Sequence, residues 1–371
     1  MTTSASSSPL VIAKPQLQKL IDELRKRGYS VAGPTIDQDA IVYDEITSIE
    51  QLPRGWTDEQ APGMYRLKQI GDDSWFGFVV GPHSWKKYLF PPREVLLTAE
   101  KTPSGWSFVP RANENAKRAL LGVRACELAA IQVQDRVFLE RPFQDPIYRQ
   151  RREQLFVIAV NCTQAASTCF CTSMKTGPEC RQGFDLVLTE IDNAFLVDVG
   201  TDLGQDLLKA CDFATANPDQ CEAGVQARQQ AVDQIVRQMS TDGLPQMLLE
   251  NLDHPHWKEV GDRCLSCTNC TMVCPTCFCS SVVEVRDLNM DRVQRERVWD
   301  SCFNPDFSYL GGSPVRDDTP SRYRQWLTHK LGSWHQQFGI SGCVGCGRCI
   351  TWCPVGIDIT EEVATLQEET R

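Results

Sequence analysis

The chain has 371 residues, enough for two or three domains, since a single core rarely grows past about 250 to 300 residues. Its 42% hydrophobic and 23% charged content is that of a soluble globular protein, and no stretch approaches the roughly 20 apolar residues of a membrane span. A net charge of -10 leaves no electrostatic footprint for nucleic acid, and the opening MTTSASSSPL lacks the basic and apolar regions of a secretion signal, so a cytoplasmic location is expected.

Residues 15–28 predict a helix, with Pro15 at its start, Leu17, Leu20, Ile21 and Leu24 on one face and Gly28 at its stop. From Gly33 to about Pro110, short apolar or alternating runs punctuated by Pro and Gly predict a strand-rich region. Residues 119–123 and 155–160 are apolar runs suited to buried strands, and 127–139 between them carries apolar residues at helical steps. Together they predict a β-α-β unit with two parallel, adjacent strands. Strands at 186–189 and 194–199 and a helix over 225–239 follow, and the His254-Pro255-His256 segment marks a boundary. The expected class is α+β: a mixed α/β domain over 1–255, then an all-α helical ferredoxin domain over 256–371.

The eighteen cysteines cluster rather than spread, and in a reducing compartment they read as metal ligands or redox groups before disulfides. Cys264, Cys267, Cys270 and Cys274 are followed by Pro275; Cys343, Cys346, Cys349 and Cys353 are followed by Pro354. This spacing lets three thiolates reach three irons of one 4Fe-4S cubane while the fourth ligates the other cluster. Cys264, Cys267, Cys270 and Cys353 therefore form one expected ligand set, and Cys343, Cys346, Cys349 and Cys274 the second. Zinc modules instead use two well-separated Cys-x2-Cys pairs. Between the motifs, Tyr323, Trp326, Leu327, Leu331, Trp334 and Phe338 recur at helical spacing, which is why the domain is expected to be a helical ferredoxin.

Cys126 follows the first strand of the β-α-β unit and Cys162 the second, so both thiols would emerge at one carboxyl edge, where open α/β sheets place ligands. Cys169 and Cys171 lie on the same loop as Cys162, and the four make a candidate third 4Fe-4S set, against the alternative of free, partly buried cysteines. Thr276-Cys277-Phe278-Cys279 repeats Thr168-Cys169-Phe170-Cys171, but with Cys302 it gives three thiols, an incomplete set. Cys180, Cys211 and Cys221 fit no pattern. No Gly-x-Gly-x-x-Gly follows a strand, no Walker loop is present, and the five histidines adjoin no nucleophile, so no catalytic site is evident.

The chain resembles the beta, iron-sulfur subunit of cytoplasmic sulfhydrogenases, NAD(P)-coupled nickel-iron hydrogenases. The resemblance runs through residues 62–67 (PGMYRL), 80–86 (VGPHSWK), 122–128 (GVRACEL), Asn161-Cys162, residues 168–171 (TCFC) and both cluster motifs. The family typically has Pro and Asp around the first cysteine, where this chain has Ala125 and Glu127. The resemblance implies an electron relay in a heterotetramer, between a flavin-bearing NAD(P)H diaphorase subunit and the small subunit of a nickel-iron hydrogenase. A similar family, the A subunit of anaerobic sulfite reductase, implies delivery to a sirohaem protein instead.

Overall fold

The computed structural model describes residues 9–110 and 116–369; residues 1–8, on which the reading of the N-terminus rests, lie outside the described residues. In chain order the strands are β1 (Leu10–Ala13), β2 (Tyr29–Asp37), β3 (Ala40–Glu45), β4 (Trp56–Ala61), β5 (Met64–Gln69), β6 (Arg93–Thr102) and β7 (Gly105–Pro110). They continue with β8 (Lys117–Val123), β9 (Leu155–Val160), β10 (Leu186–Ile191), β11 (Ala194–Val199), β12 (Ala214–Thr215), β13 (Ser280–Arg286) and β14 (Arg292–Trp299).

The all-apolar run of β9 is buried along its whole length, and β8 is buried from Ala119 onward. Strands of that kind need cover on both faces, so they occupy the middle of a sheet with parallel neighbours. Among the described residues the main sheet has eight strands in the order β12-β1-β11-β10-β9-β8-β2-β3. The inner pairs β2–β8, β8–β9 and β9–β10 are parallel, and the flanking pairs are antiparallel. Alternate residues feed two cores. Ala119, Leu121, Phe156 and Ile158 pack with Leu17, Leu20, Ile21 and Leu24 of the helix Leu17–Lys26; Leu120, Val123, Val157 and Ala159 pack with Leu128 and Ile131 of the helix Ala125–Phe138. The β-α-β unit is thus β8, Ala125–Phe138 and β9.

The register of β8 against β9 slips between Leu121 and Val123, around Gly122, whose φ is +93°. A Cβ there would also lie 3.2 to 3.3 Å from Phe76 and Pro34, so glycine suits both the bulge and the close packing. The bulge lies at the point where the chain turns into the helix carrying Cys126.

The expectation of an all-α region after residue 255 is corrected by β13 and β14. They form a hairpin, and β14 pairs antiparallel with β6, giving a four-stranded sheet β13-β14-β6-β7 that draws on both halves of the chain. Val283 and Val285 alternate with Glu284 and Arg286 in this segment, a β-period signal that the neighbouring cysteine motif overshadows. A second, two-residue hairpin pairs Tyr309–Leu310 with Ser313–Pro314, and the helices of the region are His256–Arg263, Thr319–Thr328, Trp334–Phe338 and Ile359–Glu369, with single turns Asn269–Met272 and Arg348–Thr351. The periodic stretch 323–338 does not run as one helix; a π-helical turn, His329–Ser333, interrupts it. The expected helix over 225–239 is Pro218–Gln234, started by a capping box in which Asn217 and Gln220 each bond the other's backbone.

Candidate iron–sulfur centres

The two cysteine motifs fold into equivalent loops. In the first, Cys264 ends the helix His256–Arg263, Ser266 and Thr268 take left-handed φ of +50° and +69°, and one helical turn carries Cys270. In the second, Gly345 and Gly347 hold the corresponding places at +63° and +75°, and a helical turn carries Cys349. In both loops the amide two residues on donates to the first sulfur, Ser266 N to Cys264 Sγ and Gly345 N to Cys343 Sγ, each at 3.4 Å. The second loop needs glycine because it lies against the Thr168–Cys171 loop. A Cβ on Gly345 would meet the Phe170 carbonyl oxygen at 2.6 Å and the Cys171 backbone at 2.7 Å.

Cys264, Cys267, Cys270 and Cys353 line one cavity, walled by Phe303, Tyr323, Trp326, Ile357 and Ile359. Within it the Tyr323 hydroxyl and the Trp326 indole N–H are buried without a protein partner. Orphaned donors on residues of a thiol-lined cavity suit an acceptor-rich group such as a sulfide-bearing cluster. Among the described residues no three His, Cys, Asp or Glu side chains converge as they would on a single metal ion.

Cys274, Cys343, Cys346 and Cys349 gather beside this cavity, which Cys349 also lines. Burial pushes the Cys349 thiol well up, and Cys343, Cys346, Cys274 and Cys270 add to the effect; burial lifts Cys343 to about 12. Cys274 goes the other way. The Cys277 thiol donates to it, and Lys330 and the Thr276 hydroxyl help hold it well below the usual thiol range against burial. Lys330 Nζ lies 3.3 Å from Cys274 Sγ and 3.5 Å from Cys277 Sγ. Burial alone would lower this ammonium, but the surrounding Cys274, Cys277, Cys343 and Cys349 raise it well above its ordinary value.

Arg348, fully buried between Cys346 and Cys349, ties this loop to the rest of the molecule. It donates to the carbonyls of Gly81 and His83 at 2.9 Å and to Glu127 Oε1 at 2.6 Å, while Glu127 Oε2 accepts from the Tyr43 hydroxyl at 2.9 Å. Burial raises the Cys346 thiol against the opposing Arg348 charge, and Arg348 Nη1 has no protein partner. The β4–β5 turn closes over the same loop: Gly63 N donates to Ile350 O at 3.1 Å, and Tyr65 stacks on Trp352.

Cys126 lies in the first turn after β8, Cys162 just beyond β9, and Cys169 and Cys171 on the following loop. Burial raises Cys126, Cys169 and Cys171, and they are near enough to raise one another: Cys169, Cys162 and Cys346 act on Cys171, and Cys346 and Cys171 on Cys126. Arg124 donates to Cys162 and to the carbonyls of Phe76 and Phe78 at 2.8 Å. Cys180, which the sequence leaves without a role, adjoins Cys162 and donates to Val160 O at 3.6 Å. Cys277 contacts Cys274, and Cys302 donates through both its thiol and its amide to Cys279, bringing Cys279 down to about 7. Cys211 is a core residue.

Sequence reasoning passed over Lys330, Arg348 and Glu127. For Lys330 a signal was present: Trp326, Lys330 and Trp334 stand four apart on the buried face of an apolar stripe.

Residues 263–357 match a family described as a 4Fe-4S dicluster domain. The chain is 28% identical over 343 residues to the beta subunit of sulfhydrogenase 2 from Pyrococcus furiosus, covering 91% of each chain. No solved structure matches significantly.

Proposed function

We propose that this chain, an iron-sulfur relative of the sulfhydrogenase beta subunit, relays electrons between a flavin-bearing NAD(P)H diaphorase subunit and the small subunit of a nickel-iron hydrogenase. The observation that carries the proposal is the contiguity of the thiols. Cys270 and Cys349 connect the first set to the second, and Cys346 connects the second to the candidate third. Three 4Fe-4S clusters, each taking and giving one electron when bound, would form an unbroken row.

The chain's own residues supply what such a row needs. The cysteines of the three sets would hold the clusters; Phe303, Trp326, Ile357 and Ile359 would exclude water around the first; and the buried donors Tyr323 Oη, Trp326 Nε1 and Arg348 Nη1, which have no protein partner, would be free to bond cluster sulfur. A cytoplasmic setting fits the reading, and among the described residues no helix is long and apolar enough to cross a membrane. Anaerobic purification from the native host, with identification of what co-purifies, tests the proposal. A nickel-iron large subunit and about twelve irons per chain are expected, four for each cluster. A sirohaem protein in its place would overturn the assignment in favour of an anaerobic sulfite reductase A subunit. An iron content of about eight would remove the third cluster.

A further inference from the structure

Lys330 stands where a core residue would be. It belongs to the π-helical turn His329–Ser333, a departure from regular helix often found at functional sites, and is 3% exposed. Its neighbours on the stripe, Trp326, Leu327, Leu331 and Trp334, are apolar and buried. Among the described residues no carboxylate pairs with its nitrogen, whose partners are Cys274 Sγ, Cys277 Sγ, Thr276 Oγ1 at 3.2 Å and Gly342 O at 3.3 Å. A buried ammonium is expensive unless an anion faces it. Three other buried cations reach the cysteines: Arg348 is committed to Glu127, Arg124 to backbone carbonyls, and Lys86 to the Cys277 carbonyl at 3.0 Å and the Trp299 ring, its charge also acting on Cys274 without a hydrogen bond to sulfur. The Lys330 charge is directed at sulfur.

We propose that Lys330 is a potential-setting residue: by donating to the Cys274 sulfur it raises the reduction potential of the one cluster held by Cys274, Cys343, Cys346 and Cys349. The inference rests on the cluster reading above and goes beyond it by naming what tunes one cluster of the row. Reduction adds one negative charge to a cluster. A buried cation hydrogen-bonded to a ligand sulfur stabilises the reduced form more than the oxidised form, and charge and hydrogen bonds at the sulfurs are the levers that proteins use to shift these potentials. Because this set lies between the other two, the shift acts on the middle of the row.

The test is an EPR-monitored redox titration of the full-length, anaerobically purified protein, as wild type, Lys330→Met and Lys330→Arg, each with its iron content measured. In Lys330→Met one midpoint should fall by at least tenfold in the reduction equilibrium, 59 mV for a one-electron couple, while the others hold; Lys330→Arg should stay near wild type. Full iron with unmoved midpoints in Lys330→Met overturns the inference. Should that variant lose iron, wild-type protein labelled with nitrogen-15 lysine decides. Pulsed EPR of the reduced protein should show a lysine nitrogen coupled to one cluster, and the absence of any such coupling overturns the inference. Wild type without 4Fe-4S signals would instead defeat the cluster reading itself.

Discussion

Ser266 and Gly345 occupy the same place in two equivalent loops, yet only one of them has to be glycine. Ser266 sustains a left-handed φ with space around it, and its hydroxyl contacts Thr319 at 3.1 Å. At Gly345 the Phe170–Cys171 backbone occupies the volume that a side chain would need, and Phe170 N donates to Gly345 O at 2.9 Å. Gly345→Ala should therefore combine the strain of a left-handed alanine with a clash against backbone that cannot move freely. A loss of about 2 to 3 kcal/mol is expected, read by denaturant unfolding of the anaerobic protein. Ser266→Ala, which keeps a Cβ already accommodated and loses one half-exposed hydroxyl contact, should cost less than about 1 kcal/mol in the same measurement.

At the scale of elements, the first turn of the helix Ala125–Phe138 and the turn Arg348–Thr351 are fastened by one buried ion pair, Glu127 with Arg348. Removing one partner strands the other charge. Glu127→Ala should destabilise by about 3 to 5 kcal/mol, whereas replacing both by apolar residues of similar size, Glu127→Leu with Arg348→Met, should recover much of the loss; chemical denaturation reads both. Glu127 falls within the segment 122–128, one turn from the end of β8. Nothing in the sequence ties it to Arg348, because the contact joins residues far apart in the chain. The β8, Ala125–Phe138, β9 unit was legible for the opposite reason: hydrophobic period is a local signal, and neighbouring elements of this kind almost always pack together. The hairpin of β13 and β14 was not legible, since its pairing with β6 is a long-range choice, and the cysteine motif beside it suggested only helices and loops. Likewise the spacing of the motifs picks out which cysteines belong together, but it carries no information about the cations that face them.

For the molecule as a whole, the chain does not divide cleanly where its composition changes. The segment from 256 onward contributes β13 and β14 to a sheet completed by β6 and β7, Arg348 reaches back to Glu127, and the Thr168–Cys171 loop backs the second motif. Residues 256–371 expressed alone would present an open β14 edge and an unpaired buried arginine. Such a fragment should be insoluble or lack a cooperative thermal transition, whereas the full chain unfolds cooperatively; soluble yield and circular dichroism distinguish the two. The region that matches the 4Fe-4S dicluster family is packed into a larger body, and its cysteine loops are braced by the α/β part.

Cys267 is exposed and Leu265 beside it is 63% exposed, while the other thiols of the first set are partly exposed and three of the four in the second are buried. In the proposed relay this asymmetry would give the row an outer end. A carrier protein and dissolved oxygen would approach through the same opening, so the point best suited to exchanging electrons is also the point most open to damage. Whatever subunit covers Cys267 in an assembly would serve at once as contact and as seal, and a chain parted from that subunit would rust from this end inward.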